Sequence, residues 1–353
     1  MGLLVIKPRP SYGTNSRFEE ILEYALSGTE HQVVTSVSEL ERMDVKGRRI
    51  LFAVSLGISG INSGLYAVLE YLRMRSDALE GCVGGVILDG KSDLYTKSVG
   101  RSVVFTANLA GCSFPGRCLV EGTGTLKNYN LQAKNNNTDN MSAYRSAART
   151  LVENILGFEH TRKKNPKILV LHASDEATSN TLALWNMIKE KLPECSFKEI
   201  SLRNGHIMDC RGCAYEVCRQ YSEKGTCFYG GPIAETVYPA VLECDALVMI
   251  CPNYNDALSG NLTAFVNRLT SLYVNHRFYD KSLFGIIVSG YSGCDIVAEQ
   301  LISGINMNKT FALPGRFAIM ETAGSPKEIL SSPGLEQRAE RFVLNMRQYL
   351  IES

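Results

Sequence analysis

Four cysteines, Cys210, Cys213, Cys218 and Cys227, fall within eighteen residues of a 353-residue chain. With no secretory signal read at the start of the chain, so dense a group points to metal ligation or redox chemistry before disulfides. The other seven (Cys82, Cys112, Cys118, Cys195, Cys244, Cys251 and Cys294) are scattered, mostly in apolar surroundings, and read as small core hydrophobes. A second set of candidates is the hydroxyl-rich loop Ala173-Ser174-Asp175-Glu176-Ala177-Thr178-Ser179-Asn180-Thr181, which joins an apolar strand to a helix. The unpaired N–H groups and partial positive charge of a helix N-terminus can hold a phosphate, with Ser and Thr hydroxyls completing the cradle. Simple N-capping by Thr178 or Asn180 explains the same residues, and on this loop alone both readings stand.

Two further loops belong with it. Pro252-Asn253-Tyr254-Asn255 leaves an apolar strand, with Pro252 stiffening the exit and Tyr254 offering a flat face to an aromatic cofactor. Ser289-Gly290-Tyr291-Ser292-Gly293 follows the next strand, and its glycines let backbone approach a ligand closely. Each alone is an ordinary strand-to-helix turn; that all three fall on one end of the expected sheet favours a binding site. The five histidines form no ligand spacing. His172 closes a strand near the hydroxyl loop, and Trp185 sits with Leu184 and Ile188 on a core-facing helix.

The elements that must position these loops alternate between strand and helix throughout. Apolar runs at 3–7, 32–35, 50–55, 82–88 and 118–121 read as strands, with helices over 18–26, 63–73, 97–107 and 143–156. The second half repeats the plan, with strands at 168–172, 197–202, 246–251, 283–288 and 316–321, and helices over 181–192, 262–272 and 295–305. A closing helix carries Ala339, Phe342, Val343, Met346 and Leu350 at helical spacing. The basic run 160–167 reads as a linker, so the expected domains are 1–160 and 166–353. Asn135-Asn136-Asn137 reads as a surface loop.

The halves look like a duplication. Pro115-Gly116-Arg117 before an apolar run recurs as Pro314-Gly315-Arg316, and Gly85-Val86-Ile87-Leu88 as Gly285-Ile286-Ile287-Val288. The cysteine-bearing stretch, about 204–233, has no counterpart in the first half. Five strands with intervening helices in each half give the expected fold class: α/β, two flavodoxin-like doubly wound parallel-sheet domains related by internal duplication. Ligands of such sheets sit beyond the carboxyl ends of the strands, where strand order reverses.

Composition bounds the function. Lys plus Arg (37) nearly balances Asp plus Glu (36), so charge gives no reason to expect nucleic acid or membrane. No apolar run approaches the roughly 20 residues of a membrane-spanning helix, which leads to the expectation of a cytoplasmic protein.

Over about residues 166–351 the chain resembles the NADPH-dependent FMN reductase and iron–sulfur flavoprotein family. The match rests on the Ser-rich loop from Ser174 to Asn180-Thr181, the Pro252-Asn253-Tyr254 turn, and Asn267-Arg268 on the following helix. Asp175 and Glu176 stand where the family has a Pro-Arg pair. The resemblance implies FMN held by Ser174, Thr178, Ser179, Asn180 and Thr181 at its phosphate. It places the ring at Pro252, Asn253, Tyr254, Asn255, Ser289, Gly290, Tyr291 and Gly293, with NAD(P)H as reductant and a homodimer as assembly. It also implies a [4Fe–4S] cluster on Cys210, Cys213, Cys218 and Cys227, against which structural zinc and unligated thiols remain open. The expected function is an FMN-dependent oxidoreductase serving a small-molecule or protein redox partner. Its rivals are a non-enzymatic electron carrier and a zinc-stabilised binding module without flavin. The first-half loops 10–16, 55–60 and 89–93 read as a degenerate copy.

Overall fold

Strands buried on both faces read as continuous apolar runs rather than alternating ones, and Ile50–Val54 and Val83–Leu88 do so here, with every residue buried. A computed structural model describes residues 2–10, 13 and 15–352. The chain divides into two units, Met1–Glu159 and His160–Ser353.

In the first unit the elements are β1 (Leu3–Ile6), α1 (Ser16–Leu26), β2 (His31–Val34), α2 (Val37–Leu40), β3 (Arg49–Leu56), α3 (Ser63–Met74), β4 (Val83–Gly90), α4 (Thr96–Leu109), β5 (Leu119–Gly122), α5 (Asn130–Asn135) and α6 (Asn140–Gly157). The sheet is parallel in the order β2-β1-β3-β4-β5. Side-chain caps start several helices: Asn15 Oδ1 accepts from the Phe18 N–H, Asn62 from Leu65 and Asp139 from Ser142.

In the second unit the elements are β6 (Lys167–His172), α7 (Asn180–Lys189), β7 (Ser196–Ser201), α8 (Tyr215–Ser222), α9 (Tyr238–Glu243), β8 (Ala246–Pro252), α10 (Gly260–Tyr273), β9 (Ser282–Ser289), α11 (Cys294–Leu301), β10 (Ala318–Thr322) and α12 (Leu335–Leu350). Its parallel order is β7-β6-β8-β9-β10, the same order as in the first unit. Trp185 is fully buried and meets Phe197 edge-on at 5.5 Å. The apolar stripe of α12, from Ala339 to Leu350, joins the same core against β8 and β9.

The repeat extends to individual backbone bonds. Ser113 N–H donates to Cys82 O at 2.9 Å and Ala312 N–H to Lys281 O at 2.8 Å. Gly84 N–H donates to Ser113 O and Leu283 N–H to Ala312 O, while Val86 N–H donates to Cys118 O and Gly285 N–H to Phe317 O. Arg117 and Arg316, which close the two Pro-Gly-Arg turns, share a left-handed backbone with φ of 58° and 50°. Such agreement at residue level follows if one unit was copied from the other.

The structure differs from the sequence expectation in several places. The short helices α2 and α5 are not read from the pattern, and α5 takes in Asn135 of the expected surface loop. Helix α11 ends at Leu301 and continues as a π-helical turn, Ile302–Met307, rather than running as one α-helix to 305. The stretch between β7 and β8 contains α8, a second π-turn (Ile233–Val237) and α9, none of them read from the pattern. Cys195 and Cys294 are partly exposed, while Cys82, Cys112, Cys118, Cys244 and Cys251 are buried as expected.

Candidate active site at the carboxyl ends of β6, β8 and β9

The chain leaves β6 for β7 on one side and returns to β8 on the other, so strand order reverses between β6 and β8. The loops after β6, β8 and β9 therefore adjoin at one edge of the sheet, where this fold binds ligands.

In the loop after β6, Ser179 caps α7. Its Oγ accepts from the Leu182 N–H at 3.1 Å and shares a hydrogen bond of 2.8 Å with Thr181 Oγ1. Capping accounts for Ser179 and leaves the N–H groups of Asn180 and Thr181 as first-turn donors with no intrahelical acceptor. Thr178 is exposed. Asn180 has a structural task the sequence did not show. Its amide donates to Ala323 O (3.2 Å) and Ser325 O (2.9 Å) and accepts from the Ile329 N–H (3.1 Å). Lys327 adds to this buttress by donating to Glu176 O (2.7 Å) and Ser179 O (3.3 Å).

The loop after β8 turns tightly. Asn255 and Asp256 both have positive φ, 53° and 57°, and Tyr254 and Ala257 exchange backbone hydrogen bonds across them. This holds Tyr254 outward, half exposed. Asn253 ties this loop to the next by donating to Ser289 Oγ (3.1 Å), Ser292 O (2.8 Å) and Asp256 Oδ1 (3.2 Å). Ser289 Oγ in turn donates to Ser292 O. Gln300 braces both by donating to Asp256 O and accepting from the Leu258 N–H. A Cβ on Gly293, where φ is +88°, would stand 2.2 Å from Asp256 Oδ1, so only glycine fits. Among the described residues, the only atom near a hypothetical Cβ on Gly290 is Gly324 Cα at 3.7 Å, which leaves room beside the exposed Tyr291.

Four buried polar atoms with no partner among the described residues line this edge: Ser174 Oγ, His172 Nδ1, Asn253 Oδ1 and Ser259 Oγ. Burial of such groups is costly unless something bonds them, and a ligand with polar edges would do so. Ser174 is 3 % exposed. Burial pushes the His172 pKa down, against an opposing pull from Glu199, Ser174 and Glu176. Residues that fit an FMN are therefore present: orphaned hydroxyls, helix N–H donors and exposed aromatic faces.

The cysteine insert is fixed to α10. Buried Arg268 donates to Met208 O (3.3 Å) and Gly230 O (2.6 Å), Asn267 donates to Asp209, and Ser271 Oγ donates to Thr226 O. Cys218 lies within electrostatic reach of Cys227, Cys213 and Cys210; burial, first, and then these neighbours push its pKa up. The expected common centre is nevertheless not formed. Among the described residues no group of three or more His, Cys, Asp or Glu side chains is placed to hold a metal ion. Cys218 lies beside Ser271 of α10 and Cys213 beside Tyr229, and Cys210 is exposed. The iron–sulfur and zinc expectations thus lack a preformed ligand set.

Elsewhere, a cavity of about 720 Å³ lies between α1 and the edge strand β2, lined by Val5, Leu22, Leu26 and Val33. It brings together no orphaned polar groups. No helix among the described residues is long and apolar enough to cross a membrane.

Arg203, Lys327, Asp256, Ser259 and Gln300 are site-edge residues that the sequence reasoning did not assign. Only Ser259, a serine just before a helix, carried a local signal.

No curated protein matches the chain. Among solved structures, it is similar to an NAD(P)H:quinone oxidoreductase from Methanothermobacter marburgensis, at 15 % identity and a TM-score of 0.36, over 52 % of this chain and 96 % of that one. A similar match is an FMN-dependent NADH-azoreductase from Bacillus anthracis in complex with FMN, at 11 % identity and a TM-score of 0.36, over 52 % and 99 %. A third is RosB with a bound 8-demethyl-8-formylriboflavin-5'-phosphate, at 10 % identity and a TM-score of 0.41, over 53 % and 79 %. The family model described as NADPH-dependent FMN reductase matches residues 166–324, from the start of β6 to just past β10, within the second unit of the chain.

Proposed function

We propose that the second unit binds one FMN at the β6–β8 switch point and acts as an NAD(P)H-dependent oxidoreductase. The observation that carries this reading is the pair of orphaned hydroxyls, Ser174 and Ser259, at the carboxyl edge of a unit whose residues 166–324 match that family. FMN, when bound, supplies the hydride and electron chemistry. Ser174, the hydroxyls of Thr178, Ser179 and Thr181, and the first-turn N–H groups of Asn180 and Thr181 would hold its phosphate. Pro252, Asn253, Tyr254 and Asn255 on one side, with Ser289, Gly290, Tyr291 and Gly293 on the other, would bind and orient the ring. Asn253 keeps those two loops at a fixed separation.

Purified protein loaded with FMN and desalted should retain one flavin per chain, and NADPH or NADH should bleach it anaerobically. Flavin retained but not bleached favours an electron carrier without a nicotinamide substrate; no flavin retained leaves the binding-module reading. No step of this reading depends on the cysteine insert. Iron, sulfide and zinc analysis of anaerobic protein tests the insert separately, and a homodimer in sedimentation would accord with the same reading.

A further inference from the structure

The loop after β6 contains two carboxylates, Asp175 and Glu176, and no cation. A phosphate dianion beside them needs positive charge from elsewhere. Two cations from distant elements reach this loop. Lys327 is committed to two backbone carbonyls, as described above. Arg203, just beyond β7, is brought alongside by the Leu202 N–H, which donates to His172 O at 2.7 Å. Its Nη1 pairs with Asp175 Oδ2, and roughly half of its side chain is exposed. The other oxygen, Asp175 Oδ1, accepts from the Ala177 N–H at 2.8 Å. These backbone bonds, first, and Arg203, next, hold the Asp175 carboxyl below its ordinary pKa.

Asp175 thus does inside the loop what a phosphate oxygen does at such a site: it takes a backbone N–H and a guanidinium. A guanidinium has five donors, and one carboxylate oxygen engages few of them. The loop also holds the buried, unpartnered Ser174 hydroxyl. We infer that Arg203 is the residue that selects a phosphorylated flavin over an unphosphorylated one, and that Asp175 is an internal anion competing with the phosphate for it. The inference rests on the FMN reading above and adds the cation that the loop itself lacks.

The two residues should act with opposite signs. Affinities of the full chain for FMN and riboflavin are measured by quenching of flavin fluorescence. Arg203→Gln should weaken FMN binding about tenfold or more and leave riboflavin unchanged. Arg203→Lys should recover part of the loss. Asp175→Asn keeps an oxygen for the Ala177 N–H, removes the competing charge and should tighten FMN but not riboflavin. Equal losses for both flavins in Arg203→Gln, or parallel losses in Arg203→Gln and Asp175→Asn, would mean that the ion pair is only structural and would overturn the inference. Binding of neither flavin by the unsubstituted chain would instead refute the FMN reading itself.

Discussion

Arg17 and Asp89 form a two-pronged ion pair at the carboxyl edge of the first sheet. Arg17 Nε and Nη2 donate to the Asp89 oxygens at 2.9 and 2.8 Å, and the Asp89 carboxylate is fully buried. Asn15 donates to it as well at 2.6 Å, and Arg17 donates to Gly90 O and Gly124 O. By the backbone register of the repeat, Asp89 corresponds to Val288 of the second unit, so this ion pair has no counterpart there. The carboxyl edge that carries unpartnered hydroxyls in the second unit carries a salt bridge in the first. Part of the neighbouring first-half loop, at Ser11, Tyr12 and Thr14, lies outside the described residues. One FMN per chain, not two, is therefore the expected stoichiometry by absorbance against protein concentration. Asp89→Asn should lower unfolding stability by roughly 3 kcal/mol in denaturant titration, because it leaves a guanidinium without its counter-charge.

A second exchange concerns glycine. In the second unit Gly293 makes room for Asp256; in the first, Gly60 (φ +75°) makes room for Tyr95, whose Cβ would be 2.5 Å from an added one. Gly293→Ala should cost about 1–3 kcal/mol of stability, from backbone strain and the clash together. Asp256→Ala alone should cost little, and the double variant should recover part of the loss, so the two effects will not add. Additive effects in denaturant titration would refute the contact.

His172 should make the protein sensitive to mild acid. Burial holds its folded pKa below the ordinary histidine value of about 6.5, so the imidazole is neutral in the fold. As pH falls through about 6.5 the unfolded chain takes up the proton first. Stability that is full above that pH is then lost until the folded pKa is passed. Melting temperatures between about pH 7.5 and 5.5 should fall more steeply for the unsubstituted protein than for His172→Gln. Equal slopes would argue against a buried neutral imidazole.

Thiol labelling should follow burial. Cys210 is exposed and should react first with iodoacetamide in native protein. Burial pushes Cys82 up to about 11 and Cys244 up to about 12, and raises Cys112, Cys118 and Cys251 as well. Peptide mass spectrometry should find these unlabelled until the chain is unfolded. Cys251 labelling as fast as Cys210 would contradict the fold of β8.

Much of this was legible in the sequence, because strands buried on both faces announce themselves by continuous apolar runs. The same holds for the three loops, since each begins where an apolar run such as Ala246–Cys251 stops. The insert was not legible. Helix α8 carries few apolar residues, and the stretches on either side of it are held by Arg268, Asn267 and Ser271 on a helix some forty to sixty residues away in sequence. Nor could spacing reveal that Asn180 holds a loop 143 to 149 residues on, or that Arg203 meets Asp175. Those are contacts between elements, and their partners are polar residues of types common on any surface.

Asn180 also sets how the site can open. Its amide and the Lys327 ammonium fasten the start of α7 to the segment after β10 through five hydrogen bonds. Neither side can swing out alone without breaking them. In hydrogen exchange the backbone amides of 176–182 and 323–329 should therefore exchange as one cooperative unit. A ligand held by the first segment would slow exchange in the second, which it need not touch.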